Sequence, residues 1–164
     1  MDAYKVIRKP VFVMMVGFPA AGKSTFVENE YKDFNHISSD NYVERVAKAQ
    51  EKTYNDVFLS TIKDAEKYVN EVFLKSIQDE RPIVLDRTNL SVGSRKKYLK
   101  LIPNTYHKVC HLVACSDKEE WHRRLQSRPG KNIPDSAIQA MIQNFEYPTL
   151  EEGFVEIIES DQFF

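Results

Sequence analysis

The chain is poor in glycine, in cysteine and in long apolar runs. Five glycines among 164 residues exclude a collagen-like or glycine-rich low-complexity protein. Two cysteines, Cys110 and Cys115, exclude a disulfide-rich scaffold, and their apolar surroundings favour reduced core thiols in a reducing compartment. No apolar run approaches the roughly 20 residues of a membrane span, and no apolar leader follows Met1 to Pro10. We therefore expect an intracellular protein, cytoplasmic or nuclear, without a membrane partner.

The chain also lacks a strong net charge. The formal net charge is -1, so no global positive field is available, and binding of nucleic acid would require a local patch. Hydrophobic residues make up 42% and charged residues 29%, as in ordinary globular proteins. At 164 residues the length predicts one domain over 1–164 with a substantial core.

Apolar patterning predicts strands that alternate with helices. The predicted strands are Val11–Val16, Asn35–Ser38, Ile83–Leu85, Lys108–Cys115 and Phe154–Ile158. The predicted helices are Lys23–Tyr31, Asp40–Gln50, Asp56–Asp79, Gly93–Leu101, Asp117–Ser127 and Pro134–Phe145. In the longest helix one stripe is expected to face the core, formed by Phe58, Ile62, Ala65, Val69, Val72 and Ser76. The alternation predicts parallel βαβ units and a sheet covered on both faces.

A phosphate-binding motif follows the first predicted strand. The pattern G-x-x-x-x-G-K-[ST] is met in full by Gly17, Phe18, Pro19, Ala20, Ala21, Gly22, Lys23, Ser24 and Thr25. Its backbone N–H groups would surround phosphate oxygens at the N-terminus of a helix. Lys23 would reach the β- and γ-phosphates, and the Ser24 hydroxyl would ligate Mg²⁺.

This motif in its βαβ setting indicates an α/β P-loop NTPase. We expect an adenylate-kinase-like, three-layer α/β/α fold with a central, mostly parallel sheet and a short lid. The implied cofactors are ATP and Mg²⁺.

Two acidic residues follow other predicted strands, where ligands of such sheets bind. Asp40 could accept the proton of an acceptor hydroxyl, or could instead be the N-cap of the following helix. Asp86 could hold magnesium or its water shell, or organise the acceptor, or could be a turn residue at the end of its strand.

Two basic clusters are candidates for binding phosphate. The segment His122–Lys131 could close over a triphosphate through Arg124 and Arg128, or could be a solvated helix C-terminus. The cluster Arg95–Lys97 could hold backbone phosphates of a nucleic acid, or could be a solvated helix face.

The ordered set of motifs resembles the 5′-polynucleotide kinases, namely the kinase modules of phage and bacterial end-healing enzymes and of animal polynucleotide phosphatase/kinase. The matching segments are Gly17–Thr25, Ser38–Asp40, Asp86–Asn89 (family pattern D-x-T-N), Ser94–Tyr98, Arg124–Arg128, Ile133–Pro134 and Phe145–Phe154. Their order and spacing hold over nearly the whole chain.

The resemblance implies transfer of the ATP γ-phosphate to a 5′-hydroxyl end of DNA or RNA. By the family pattern Lys23 and Ser24 serve the triphosphate and magnesium, and Asp40 is the general base. Arg128 is the lid arginine, with Arg124 as its helper.

The resemblance also implies an acceptor side. The matching positions are Asp86, Arg87, Thr88 and Asn89 of the D-x-T-N motif, together with Arg95 and Lys97. One position departs from the family, because Val43 stands where phage and bacterial members have an arginine that holds the acceptor phosphate. Arg45 or Arg87 could substitute for it.

Two other functions fit part of the pattern. A non-catalytic nucleotide- and RNA-binding module, as in nuclear ribonucleoprotein U-like proteins, shares the P-loop and the D-x-T-N strand. A kinase of a sugar acid, a nucleoside or aminoacylated tRNA would share the P-loop and Asp40. The acidic motifs of a phosphatase module are absent from the sequence, so we expect 5′ phosphorylation without 3′ trimming. A standalone, virus-encoded kinase is one interpretation of that absence.

Overall fold

The structure is a computed structural model that describes residues 9–161. The first eight and last three residues of the predicted domain lie outside this range. The strands are β1 (Val11–Val16), β2 (Asn35–Ile37), β3 (Ile83–Leu85), β4 (His107–Ala114) and β5 (Glu156–Asp161). The helices are α1 (Lys23–Glu30), α2 (Ser39–Ala49), α3 (Tyr54–Gln78), α4 (Val92–Leu99), α5 (Lys118–Gln126) and α6 (Asp135–Asn144), with a 3₁₀ turn at Leu150–Glu152.

The strands of the described range form one sheet in the order β2-β3-β1-β4-β5, and every neighbouring pair is parallel. The expected α/β P-loop NTPase fold is confirmed, with a wholly parallel sheet in these residues. After β3 the chain crosses to the other side of β1, so the carboxyl end of β1 lies at a point where strand order reverses. Ligands of open α/β sheets bind at such points.

Both faces of β1 are buried. Phe12 and Met14 belong to one apolar cluster, whereas Val13 and Met15 belong to another. Because successive strand residues point to opposite faces, this alternation shows helices packed on both sides of the sheet. Cys110 of β4 is buried, but Cys115 is only half-buried, so the expectation of two core thiols is met by Cys110 alone.

The core face of α3 differs from the expected stripe. Its buried residues are Val57, Thr61, Ala65, Val69, Phe73 and Ser76. Phe58 and Ile62 are half-buried; they pack against the apolar cluster that includes Val57 and Ala65, and they also line a cleft. Among the helices of residues 9–161, none is long and apolar enough to cross a membrane.

Arg95 is part of the fold and does not belong to a surface for nucleic acid, which corrects the expectation from the basic cluster. Its side chain is fully buried, and Nε and Nη2 donate to the two carboxylate oxygens of Glu152 at 2.7 and 3.2 Å. Nη1 donates to the backbone oxygen of Asn89 at 2.9 Å. Arg95 therefore links α4 to the 3₁₀ turn and fixes the end of the D-x-T-N segment.

We expect Arg95→Met to lower the free energy of unfolding by about 3 kcal/mol or more, because Glu152 would remain as a buried carboxylate without its ion pair. Lys97→Met, in the exposed position two residues on, is the matched control and should change stability by less than about 0.5 kcal/mol. Urea unfolding of both variants measures the difference. Equal stabilities would contradict a structural role for Arg95.

Candidate active site

A cleft of about 1220 Å³ opens at the carboxyl ends of β1, β2 and β3. Its lining includes the segments that follow those strands: Lys23 and Ser24, Ser38–Asp40, and Asp86–Thr88. The lid loop, residues 127–134 between α5 and α6, closes one side through Arg128 and Lys131. The topology thus brings the predicted phosphate site and both predicted acidic residues to one cavity.

The phosphate loop is shaped by close backbone approach. A Cβ atom at Gly17 would lie 2.4 Å from the backbone oxygen of Val113, so only glycine fits there. Gly17 N–H also donates to the backbone oxygen of Thr88 at 3.0 Å, which ties the loop to the segment after β3. Gly22 (φ 105°) and Ala20 (φ 61°) have positive φ, a conformation that glycine adopts more easily than alanine.

The Lys23 side chain folds back onto the phosphate loop. Its Nζ donates to the backbone oxygens of Gly17 and Phe18, both at 2.9 Å. Burial disfavours the ammonium form and lowers the pKa of Lys23 to about 8, although the Asp86 carboxylate opposes this change. A buried ammonium without a fixed carboxylate bonded to it is suited to an anionic ligand.

Aromatic contacts hold α5 and the segment after α6 against the phosphate loop. The Phe18 ring lies 5.6 Å from the ring of Trp121 and 5.5 Å from that of Phe145. Trp121 Nε1 donates to the backbone oxygen of Pro19 at 2.8 Å. The Phe18 side chain thus anchors α5 and the segment after α6, a packing role that the motif alone does not predict.

Asp86 lies on the phosphate side of the cleft and is almost fully buried. Its Oδ2 accepts hydrogen bonds at 2.8 Å from the Ser24 hydroxyl and pairs at 2.8 Å with His36 Nε2. This contact directs one carboxylate oxygen to the P-loop serine and favours the magnesium alternative for Asp86, whose acceptor role stays a prediction.

His36 was not identified from the sequence as a site residue. It lies on β2 beside Val84 of β3, so its ring reaches the carboxylate that follows β3. The available signal was that His36 lies in a short strand, four residues before Asp40. The same position is compatible with a buried histidine that has no role in the site.

The oxygen atoms of Ser24 and Asp86 fit a hard divalent cation such as Mg²⁺. Among the described residues no group of three or more His, Cys, Asp or Glu side chains could hold a metal ion alone.

Asp40 lies in the first turn of α2 and is not its N-cap. The cap is Ser38, whose side chain accepts from Asn41 N–H at 3.3 Å. Asp40 Oδ1 accepts from the Tyr54 hydroxyl at 2.7 Å, and Oδ2 accepts from Lys131 Nζ at 3.2 Å. Asp40 is therefore free of the capping role and directed into the cleft.

The charge state of Asp40 follows from these contacts. The Asp40 side chain is 54% exposed. The desolvation that it does undergo would favour the neutral acid, but the Lys131 ammonium and the hydrogen bonds from Tyr54 and Lys131 outweigh it. The pKa of Asp40 therefore lies below its usual value. Tyr54 and Lys131 were not predicted individually as site residues; Lys131 was only part of the basic segment that ends at the Pro-Gly break.

Both predicted lid arginines line the cleft, although α5 ends before Arg128. Arg124 Nε donates to Glu120 at 3.0 Å, and its Nη1 lies 3.5 Å from the backbone oxygen of Ala21. Arg128 Nη1 is buried without a hydrogen-bond partner among the described residues. A guanidinium that lines the cleft and has an unsatisfied N–H group is suited to phosphate oxygens.

The D-x-T-N segment divides into cleft residues and a fold residue. Arg87 and Thr88 line the cleft, and Arg87 forms a two-point ion pair with Glu66, each N···O distance being 2.9 Å. Asn89 is buried, with φ of 48°, and donates to the backbone oxygen of Met15 at 2.8 Å. The expectation that Asn89 contacts substrate is therefore wrong in this structure.

Two predicted acceptor residues are not among the described residues that line the cleft. The Arg45 guanidinium lies over the rings of Tyr42 and Tyr68, at 5.7 and 5.3 Å. Lys97 Nζ lies 5.2 Å from the ring centre of Tyr98. Of the two proposed substitutes for the missing family arginine, only Arg87 faces the cleft.

Known proteins are similar to this chain in sequence or in fold. A bifunctional polynucleotide phosphatase/kinase of Schizosaccharomyces pombe is 28% identical over 152 residues, which are 90% of this chain and 32% of that protein. The chain thus spans about a third of the length of that curated relative.

Solved structures match the fold. A chain of the Pnkp1/Rnl/Hen1 RNA repair complex has a TM-score of 0.64 at 19% identity, with 85% of this chain and 45% of that chain covered. Shikimate kinase from Acinetobacter baumannii, in complex with shikimate, has a TM-score of 0.52 at 17% identity, with 96% and 88% covered. At these identities the likeness shows the fold alone.

Residues 12–148 match the family model of an AAA domain, AAA_33, which covers the phosphate loop, both acidic residues and the lid. With its parallel sheet and P-loop cleft, this chain is a P-loop kinase-like domain that belongs to the AAA_33 family.

Proposed function

We propose that the chain is an ATP-dependent kinase of 5′-hydroxyl polynucleotide ends. The observation that carries the proposal is Asp40, a carboxylate that lines the same cleft as the phosphate loop and accepts hydrogen bonds only from Tyr54 and Lys131 among the described side chains. A kinase needs such a carboxylate for the proton of its acceptor hydroxyl, whereas simple NTP binding does not.

The chemistry assigns a role to each side of the cleft. The acceptor hydroxyl gives its proton to Asp40 as its oxygen forms a bond to the γ-phosphorus of ATP. The bond from that phosphorus to the bridging oxygen breaks, and ADP leaves with the electron pair. Lys23 and Arg128 would neutralise charge on the transferring phosphoryl group.

Magnesium would be held by Ser24 and, directly or through water, by Asp86, with His36 orienting that carboxylate. The ion would neutralise the β- and γ-phosphate oxygens.

A nucleic-acid acceptor is supported by the S. pombe polynucleotide phosphatase/kinase, whose sequence similarity extends over 90% of this chain. The cleft itself supports an acceptor that carries phosphate and apolar groups, since it is lined by Arg87, Phe58 and Met141. A binding module without catalysis is disfavoured because Lys23, Ser24, Asp40 and Arg128 all line one cavity.

The test is transfer of labelled γ-phosphate from ATP and Mg²⁺ to DNA and RNA oligonucleotides with 5′-hydroxyl ends. Matched oligonucleotides with 5′-phosphate ends are the control, and shikimate, gluconate and free nucleosides are competing acceptors. The proposal expects label on 5′-hydroxyl strands alone. Label on a small acceptor instead would assign the chain to a small-molecule kinase.

Asp40→Asn should lower the rate of transfer by about 100-fold or more, because the amide cannot accept the hydroxyl proton. The Kd for ATP should change by less than about threefold, since the contacts of the phosphate loop are retained. Single-turnover kinetics and calorimetry measure the two quantities. Loss of ATP binding in this variant would instead place Asp40 on the donor side.

The affinity for ATP should fall as pH rises through about 8, where burial places the pKa of Lys23. Binding of the triphosphate stabilises the ammonium, so the complex holds a proton that the free protein loses above that pH. We expect the Kd to increase about tenfold between pH 7 and pH 9. Lys23→Met is the control and should bind weakly without this rise; an equal rise in both proteins would contradict the role of Lys23.

A further inference from the structure

Lys131 of the lid loop reaches across the cleft mouth to Asp40. Its Nζ lies 3.2 Å from Asp40 Oδ2 and 2.8 Å from Glu44 Oε1, and it lies 4.3 Å from the ring centre of Tyr54. Only 13% of the Lys131 side chain is exposed. The lysine is therefore enclosed and has lost most of its rotamer freedom, whereas the carboxylates of Asp40 and Glu44 are 54% and 52% exposed.

The lid loop carries Lys131 to this place because it is docked on the start of α3. Asn55 N–H donates to the backbone oxygen of Gly130 at 2.8 Å. Gly130 has φ of 66°, and a Cβ atom there would lie 2.4 Å from Cβ of Thr53. Glycine at 130 is therefore required for the docked position.

The contacts leave Asp40 able to act. Each carboxylate oxygen can accept about two hydrogen bonds, and here one is used on Oδ1 by Tyr54 and one on Oδ2 by Lys131. The two donors belong to different segments, α3 and the lid loop, which are docked against each other. They fix the plane of the carboxylate and leave positions for an incoming hydroxyl.

The charges around Asp40 come from every wall of the cleft. The titratable and charged side chains that face it are Lys131 and Arg128 of the lid loop, Tyr54 of α3, Glu44 of α2, Lys23 of α1 and Arg87 after β3. Lys131 is the only cation among the described residues that forms an ion pair with Asp40. The ammonium of Lys131 and its hydrogen bond both favour the ionised carboxylate and oppose the effect of burial on the pKa of Asp40.

We propose that Lys131 is a positioning residue that orients the Asp40 carboxylate and favours its ionised form, and that it does so only when the lid loop is docked on α3. This inference rests on the proposed function, in which Asp40 receives the acceptor proton. Docking of the lid and readiness of the base are then one event, because the same loop carries Arg128 to the phosphates and Lys131 to the base.

The first experiment is a titration of Asp40 followed by NMR of side-chain ¹³C-labelled aspartate, assigned with Asp40→Asn. In Lys131→Met the Asp40 midpoint should move to higher pH, and Lys131→Arg should restore most of the shift. Lys63→Met, on the exposed side of α3, is the matched control and should leave the midpoint unchanged. A midpoint in Lys131→Met equal to that of the wild type would overturn the proposal.

The second experiment separates the lid from the lysine itself. Gly130→Ala keeps Lys131 but removes room for the loop against Thr53, so the Asp40 midpoint should move in the same direction as in Lys131→Met. An unchanged midpoint in a folded Gly130→Ala protein would overturn the dependence on docking.

The kinetic counterpart is the acid limb of kcat/KM for 5′-hydroxyl oligonucleotides, which should shift as the NMR midpoint does. A shifted midpoint without any transfer to oligonucleotides would contradict the proposed function and leave the Lys131–Asp40 coupling intact. Transfer to oligonucleotides with an unshifted Asp40 midpoint in Lys131→Met would contradict the Lys131–Asp40 coupling and leave the proposed function intact.

Discussion

The carboxylate of Asp86 is the contact on which the cleft depends. A single oxygen, Oδ2, meets the Ser24 hydroxyl and His36 Nε2, each at 2.8 Å. Those partners belong to α1 and β2, whereas Asp86 follows β3. Three segments that are distant in sequence are thereby joined at the edge of the sheet where the phosphate loop opens. Because the carboxylate is buried, loss of either partner would remove a hydrogen bond to a charged group, which costs about 1.5–3 kcal/mol.

Local sequence predicted the fold well because local chemistry determines most of it. β1 and β3 begin and end where their apolar runs do, and the phosphate loop is a contiguous motif at the end of β1. The face of α3 was harder to predict, since Phe58 and Ile62 satisfy the same helical period as the core residues. They line the cleft because α3 forms one of its walls. The sequence pattern within the helix does not indicate which residues belong to that wall.

The errors at the site share one cause, namely pairing over long distances in sequence. Arg95 resembles a surface residue of a basic cluster until Glu152, 57 positions later, is placed against it. Lys131 meets Asp40 across 91 positions and His36 meets Asp86 across 50, so neither was identified as a partner. Val43 is fully buried between α2 and α3, so this chain has no acceptor-side group at that position. Of the cations predicted for the acceptor side, Arg87, which follows β3, is the one that lines the cleft among the described residues.

In the proposed kinase cleft, Asp86 and Ser24 hold the metal ion and Asp40 is the base. The most direct test is calorimetric binding of ATP to wild type and Asp86→Asn, with and without Mg²⁺. Mg²⁺ should strengthen the binding of ATP to the wild type, and Asp86→Asn should lose about tenfold or more of that gain in affinity. Binding without Mg²⁺ should be kept or strengthened, since a negative charge leaves the site. The same dependence of ATP binding on Mg²⁺ in both proteins would contradict a role for Asp86 in holding the metal ion.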